Sequence, residues 1–239
     1  CGMTTAPVVV QLGMSRSGST AAWQACRALV RGTIDARDGG AVSKAHRYVD
    51  RWREVPHVVT VRDPLDCAAS WVVADAKDPA AVDAEDALHP AMASAWQVLE
   101  GQRRARDLVL IRYERWWDDP RGMAERVYGF LAACGVPLAL GPGELDALGV
   151  EIGRGMNRAR AAAQGDTFST YDGATFIHGR HVSDDPAPGK WRRVFPRERW
   201  DELEAAARPV REALGYGGEE GTEAQRHRGT KGGEGTEVK

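Results

Sequence analysis

Apolar residues recur along this chain with two different periods, and the periods alternate. Val8-Val9-Val10-Gln11-Leu12 is a near-continuous apolar run of strand length that drops straight into Gly13-Met14-Ser15-Arg16-Ser17-Gly18-Ser19-Thr20. Over residues 21–30 the spacing becomes helical, with Trp23, Cys26, Ala28, Leu29 and Val30 in the pattern and Arg31-Gly32 closing it. A short apolar-to-basic segment at 41–46 precedes a β-branched run over 55–61 that ends in Arg62-Asp63-Pro64, a second strong strand ending in charge. Helical spacing returns over 65–76 and over 84–106, where Leu88, Met92, Trp96 and Leu99 are in phase. Residues 108–111 predict a third strand, and Asp118-Asp119-Pro120 opens a helix to Cys134 with proline in the first turn. An Ala/Arg-rich helix is expected over 150–164, then a polar, lid-like stretch through Gly189, and a last helix over 197–214.

Strands alternating with helices predict an α/β fold, a P-loop-type parallel sheet with right-handed crossovers and helices on its faces, whose functional loops sit at the carboxyl ends of the strands. Gly13 onward and Arg62 onward are two such ends. A chain of 239 residues suits one domain of this kind, assigned to 1–216. Residues 217–239 are rich in Gly, Glu and Thr without apolar periodicity and read as a disordered tail. The net charge of −2 gives no ground for a nucleic-acid or anionic-membrane surface, so any basic site has to be local. No window approaches the roughly 18 apolar residues of a membrane helix. Cys1, Cys26, Cys67 and Cys134 lie far apart with no CxxC pairing, which fits free thiols in a reducing compartment. The expectation is a soluble, cytoplasmic protein, with room left for an upstream anchor because the chain begins at Cys1.

The candidate chemistry starts in the first loop. Gly13 and Gly18 bracket four residues, the spacing of a Walker-type loop in which successive backbone N–H groups turn toward a phosphate at a helix N-terminus. A triphosphate-handling loop carries Lys after the second glycine; here Ser19 stands there and the basic residue, Arg16, is inside the loop. Arg62 and Ser70 are spaced to approach one anion from the strand end and two turns into the next helix, guanidinium and hydroxyl each donating. The plain alternative is an Arg–Asp surface pair and an ordinary helical serine. Trp116 and Trp117 are a substrate wall or core aromatics, Glu114 is an acid/base or a structural acceptor, and Arg154, Arg158 and Arg160 read as a solvated face.

Together Arg16-Ser17-Gly18-Ser19-Thr20 and Arg62-Asp63-Pro64-Leu65-Asp66 through Ser70 resemble, in this order, the two nucleotide motifs of sulfotransferases that use 3′-phosphoadenosine 5′-phosphosulfate (PAPS). Lys44-Ala45-His46 is similar to the family's Lys-x-His element, and Gly189-Lys190-Trp191 with Arg180 upstream to its C-terminal segment. Asp63 departs from the usual Asn, and no Arg-Lys-Gly precedes Gly189. The resemblance implies a three-layer α/β/α fold and a sulfuryl transfer from PAPS, without a metal, to a hydroxyl or amine of a small-molecule or glycan acceptor. It implies that Arg16, Ser17, Gly18, Ser19 and Thr20 hold the 5′ end, that Arg62, Ser70 and Arg180 hold the 3′-phosphate, that Arg16 and Lys44 stabilise the leaving group, and that His46 is the base. His57, His89 and His178 lack that context, and His181, in the lid-like stretch, is a plain surface histidine or a contact to the acceptor. Two rivals stand beside this reading: a P-loop nucleotide or small-molecule kinase, and an inactive module that binds an adenosine bisphosphate.

Overall fold

The computed structural model describes residues 7–38, 40–165, 172–178, 182 and 185–217. Four parallel strands, β1 (Val9–Gly13), β2 (Val42–Ala45), β3 (His57–Val61) and β4 (Leu108–Arg112), form one sheet in the order β2-β1-β3-β4. The helices are α1 (Ser19–Arg31), α2 (Pro64–Ala74), α3 (Ala84–Arg104), α4 (Pro120–Ala133), α5 (Leu145–Ile152), α6 (Arg154–Ala163), α7 (Trp191–Val194) and α8 (Trp200–Ala213). Every residue of β1 and β3 is buried, which is why those strands read as continuous apolar runs: helices cover both faces of the sheet. On one face α1, α4 and α5 enclose Trp23, Leu29, Val127, Leu131 and Leu148; on the other α3 and α8 cover Leu12, Val59, Val61 and Val98. A third apolar group, around Leu65, Leu88, Trp191, Phe195 and Leu203, joins α2 and α3 to α7 and α8.

Register brings the chemistry to one edge. Leu12 pairs with Ala45 and Gly13 with Thr60, so the ends of β1, β2 and β3 lie side by side and release the 13–20 loop, the Lys44–His46 element and Arg62 in the same direction. At this junction the hydroxyl of Thr60 meets Ser17 Oγ at 2.9 Å and accepts from Gln11 Nε2 at 3.2 Å. Gly13 leaves room for that knot, since a Cβ there would come within 2.2 Å of Thr60 Oγ1.

Three expectations need correcting. The helix expected over 150–164 is two helices, broken at Gly153, whose ψ of 160° is extended; the carbonyl of Ile152 turns instead to accept from Asn157 Nδ2 at 2.9 Å. Trp96 is 45% exposed. It lies eight residues from Leu88, about 80° round the helix at 100° per residue, while the inward stripe of α3 runs through Ala91, Ala95 and Val98. The polar stretch before Gly189 is also tied down in part: Ala36 N donates to Ala174 O at 2.7 Å, and Asp172 closes a turn by accepting from Ala174 N. The tail assigned from 217 onward lies outside the described residues except for Gly217. Cys26, Cys67 and Cys134 are free thiols, and no helix among the described residues is long and apolar enough to cross a membrane. Replacing Gly13 by Ala should destabilise the protein by about 1–3 kcal/mol through overpacking, read as a lower urea midpoint; an unchanged midpoint would show that the junction yields.

Candidate functional site

The first loop reaches its helix through two left-handed residues. Arg16 has φ 64° and Gly18 φ 75°, and Gly18 is the N-cap of α1 with no side chain capping that end. The glycine is also required sterically, since a Cβ would come 2.5 Å from the ring of Trp116. The amide-rich start of α1 therefore opens onto the loop with the positive end of the helix dipole behind it. Ser17 turns the other way: its hydroxyl donates to Met14 O at 2.7 Å and lies against Thr60, so this side chain braces the loop from beneath. Thr20 Oγ1 accepts from Lys44 Nζ, which joins the end of β2 to the first turn of α1. Burial pushes the Lys44 pKa down to about 8.

The second corner is built at the end of β3. Arg62, 3% exposed, donates from Nη1 to Arg16 O at 3.3 Å and lies 3.5 Å from Ser70 Oγ. Its Nη2 donates to Pro186 O at 3.3 Å, and its guanidinium stacks 4.2 Å from the Tyr113 ring centroid. Behind it stands Asp66, 3.7 Å from Nη2, whose two oxygens accept from Gly189 N at 2.9 Å and Trp191 N at 3.0 Å. The Arg–Asp pair foreseen as a surface alternative exists, but it is buried. Asp63, the departure from Asn, caps α2 by accepting from Leu65 N and pairs with Arg211 of α8 at 3.0 Å. Glu114 accepts from Asp63 N and from Tyr216 Oη, both at 2.8 Å, which makes it a structural acceptor; burial raises its pKa.

Between the two corners runs a cleft of about 350 Å³. It brings together Arg16, Gly18, Ser19, Thr20, Lys44, His46, Arg62 and Ser70, with Trp71, Trp116 and Trp117 along its walls. Arg16 reaches across it, donating to Ser70 O at 3.4 Å and lying 5.3 Å from the Trp71 ring centroid. His46 stands exposed at the mouth, its Nδ1 2.7 Å from Gly13 O. A carbonyl only accepts, so Nδ1 carries the proton and Nε2 keeps a lone pair. Crowding by protein atoms, and to a smaller extent the charge of Lys44, lowers the His46 pKa, against the raising effect of Gly13 O.

Arg154, Asn157 and His178 are among the lining residues that escaped the sequence reading. Arg154, taken for part of a solvated face, and Asn157 line the cleft from α6, because the break at Gly153 redirects that helix. His178 lines it from the 172–178 segment and is 6% exposed; burial, then Arg16 and Lys44, push its pKa down to about 4. A signal was available in Phe176-Ile177, two adjacent apolar residues in a mostly polar stretch. Arg180 and His181 lie outside the described residues. Among the described residues no carboxylate lines the cleft, and no group of three or more His, Cys, Asp or Glu side chains is placed to hold a metal.

No family model matches the chain, and no curated protein does. Its fold is similar to that in the crystal structure of mouse sulfotransferase SULT7A1 complexed with PAP, with a TM-score of 0.58 over 86% of this chain and 88% of that one, at 12% identity. The likeness shows the fold: a parallel sheet flanked by helices in the sulfotransferase arrangement. A histidine held near 4 in the folded protein and near 6.5 when unfolded binds more protons unfolded between those values, so its share of stability is intact above pH 6.5 and is lost as pH falls toward 4. Urea unfolding of the wild type should therefore weaken more steeply from pH 6.5 to 4.5 than that of His178→Asn; parallel profiles would contradict the buried neutral imidazole.

Proposed function

We propose that this protein is a sulfotransferase that moves a sulfuryl group from PAPS to a hydroxyl or amine of a small-molecule or glycan acceptor. The observation that carries the reading is the pair of anion stations in one cleft: the uncapped start of α1 at Ser19, and Arg62 against Ser70. A donor with a phosphosulfate at one end and a separate 3′-phosphate has its charge distributed in the same way. The residues fit such a group on two further counts. Gly18 keeps open a cradle that any side chain would fill, and the buried guanidinium of Arg62 retains an Nε without a hydrogen-bond partner among the described residues. Ser19 stands where a triphosphate loop carries lysine, which weighs against a kinase.

When bound, the donor supplies an activated sulfuryl group whose S–O bond to phosphate is the one that breaks. The backbone N–H groups at the start of α1, with Ser19 and Thr20, cradle the 5′ end, while Ser17 holds the loop in shape from below. Arg16 and Lys44 offset the charge that develops on the departing phosphate oxygen. Arg62 and Ser70 anchor the 3′-phosphate and so fix the distance between donor and base. His46 Nε2 takes the proton of the acceptor as the new bond to sulfur forms; its tautomer is set in advance by Gly13 O. Among the described residues four cations line the cleft, Arg16, Lys44, Arg62 and Arg154, and they match a polyanionic donor in a chain whose net charge is −2.

Adenosine 3′,5′-bisphosphate at about 100 times its dissociation constant should stabilise the fold by roughly 2.7 kcal/mol, a melting-temperature rise of several degrees, with AMP or ATP far less effective. Equal protection by ATP that depends on magnesium would favour a kinase. With the bisphosphate, His46→Ala should bind as the wild type does yet turn over about 10²- to 10⁴-fold more slowly, whereas Arg62→Ala should bind weakly. Unaltered turnover in His46→Ala would reassign the base, and bisphosphate binding without turnover on any acceptor would leave an inactive binding module.

A further inference from the structure

His178 reaches the cleft on a segment that the rest of the protein holds firmly. Gln24, fully buried in α1, donates from Nε2 to Thr175 O at 3.2 Å and accepts from Asn157 Nδ2 at 3.1 Å. Phe176, at φ 55°, sets its ring 4.8 Å from that of Trp23, and Ala174 O receives Ala36 N at 2.7 Å. Three ties, two from α1 and one from Ala36, with Asn157 bracing Gln24, thus carry Ile177 and His178 over the open side of the first loop. What faces the imidazole there is positive: Arg16 from the loop, Lys44 from the end of β2, and along the same walls Arg62 from the end of β3 and Arg154 from α6, with His46 at the mouth and no carboxylate among the described lining residues.

We propose that His178 is a ligand of the donor's 5′ end that takes up a proton as the nucleotide binds, so that anion binding and protonation are coupled in this cleft. The inference rests on the sulfotransferase reading and deepens it. In the ligand-free protein an imidazolium enclosed beside two cations is unfavourable, and the ring stays neutral at pH 6. A polyanion seated against Arg16 and Lys44 reverses the local field; the imidazole then takes one proton from solvent and donates it as a charge-assisted hydrogen bond to the bound anion. Loss of that proton as pH rises weakens the same contact, which makes release of the bisphosphate product easier at higher pH. Lys44 and Lys190, both pushed down to about 8, are already protonated at pH 6 and contribute no uptake there.

Calorimetric titration of the bisphosphate at pH 6, in two buffers of different ionisation enthalpy, counts the protons taken up. The wild type should take up more than His178→Asn, the difference approaching one proton; the ligand's own phosphate ionisations, with pKa near 6, and that of His46 occur in both proteins and cancel. The affinity advantage of wild type over His178→Asn should then fall between pH 5 and 8, by at most about tenfold per pH unit. Equal proton counts with intact binding would overturn the role of His178 and leave the sulfotransferase reading standing. Failure of the bisphosphate to bind the wild type would overturn both.

Discussion

One buried carboxylate organises the working edge of this protein. Asp66, in the first turn of α2, is 1% exposed, and a carboxylate so placed costs several kcal/mol unless its charge and lone pairs are matched. It is matched by Arg62 and by two backbone amides more than 120 residues away in the chain, those of Gly189 and Trp191. The same group therefore aims Arg62 toward Ser70 and draws in the 186–191 segment, whose Pro186 O accepts from Arg62 and closes one wall of the cleft. Trp191, seated by that amide, then carries α7 into the apolar group with Leu65, Leu88 and Phe195. Site geometry and core packing share a single anchor.

The cleft has the opposite balance. Its described lining has cations and no carboxylate, and the basic groups within and beside it are shifted against carrying positive charge: Lys44 and Lys190 are pushed down to about 8, His178 to about 4, and Arg16 is lowered as well. Burial is the first cause in each case, and for Arg16, Lys190 and His178 neighbouring cations add to it. Such an arrangement carries an electrostatic cost that an anion placed among these groups would relieve. Away from the cleft, basic side chains such as Arg37, Arg121 and Arg193 find carboxylates within hydrogen-bonding distance.

Local elements were legible because their signals are local. The apolar runs of β1 and β3 read as buried strands, the bracket of Gly13 and Gly18 as a turn into a helix, and Pro120 as a helix start; in the structure Asp63 and Asp119 cap α2 and α4. The misreadings have one origin. Gly153 ends a helix that composition alone would carry on to 164, and Trp96 obeys a helical period while lying at the margin of the stripe that meets the core. Asp63 looked like a bare substitution for Asn; its charge is answered by Arg211, 148 residues on. Arg154 looked solvated, and turns into the cleft only because α6 starts afresh after the break.

By itself the sequence determined three of the four strands and the longer helices between them, the strand–loop–helix unit at Gly13–Thr20 and the charge at the end of β3, since each follows from periodicity or from the conformational needs of single residues within a few positions. Only the tertiary structure decided which charges meet. His178 beside Arg16 and Lys44, Asp66 beneath Gly189 and Trp191, and Ser17 facing Thr60 in place of the cleft depend on register and packing between distant segments. Coulomb energy and desolvation are set by distance and enclosure in space, and spacing along the chain carries neither.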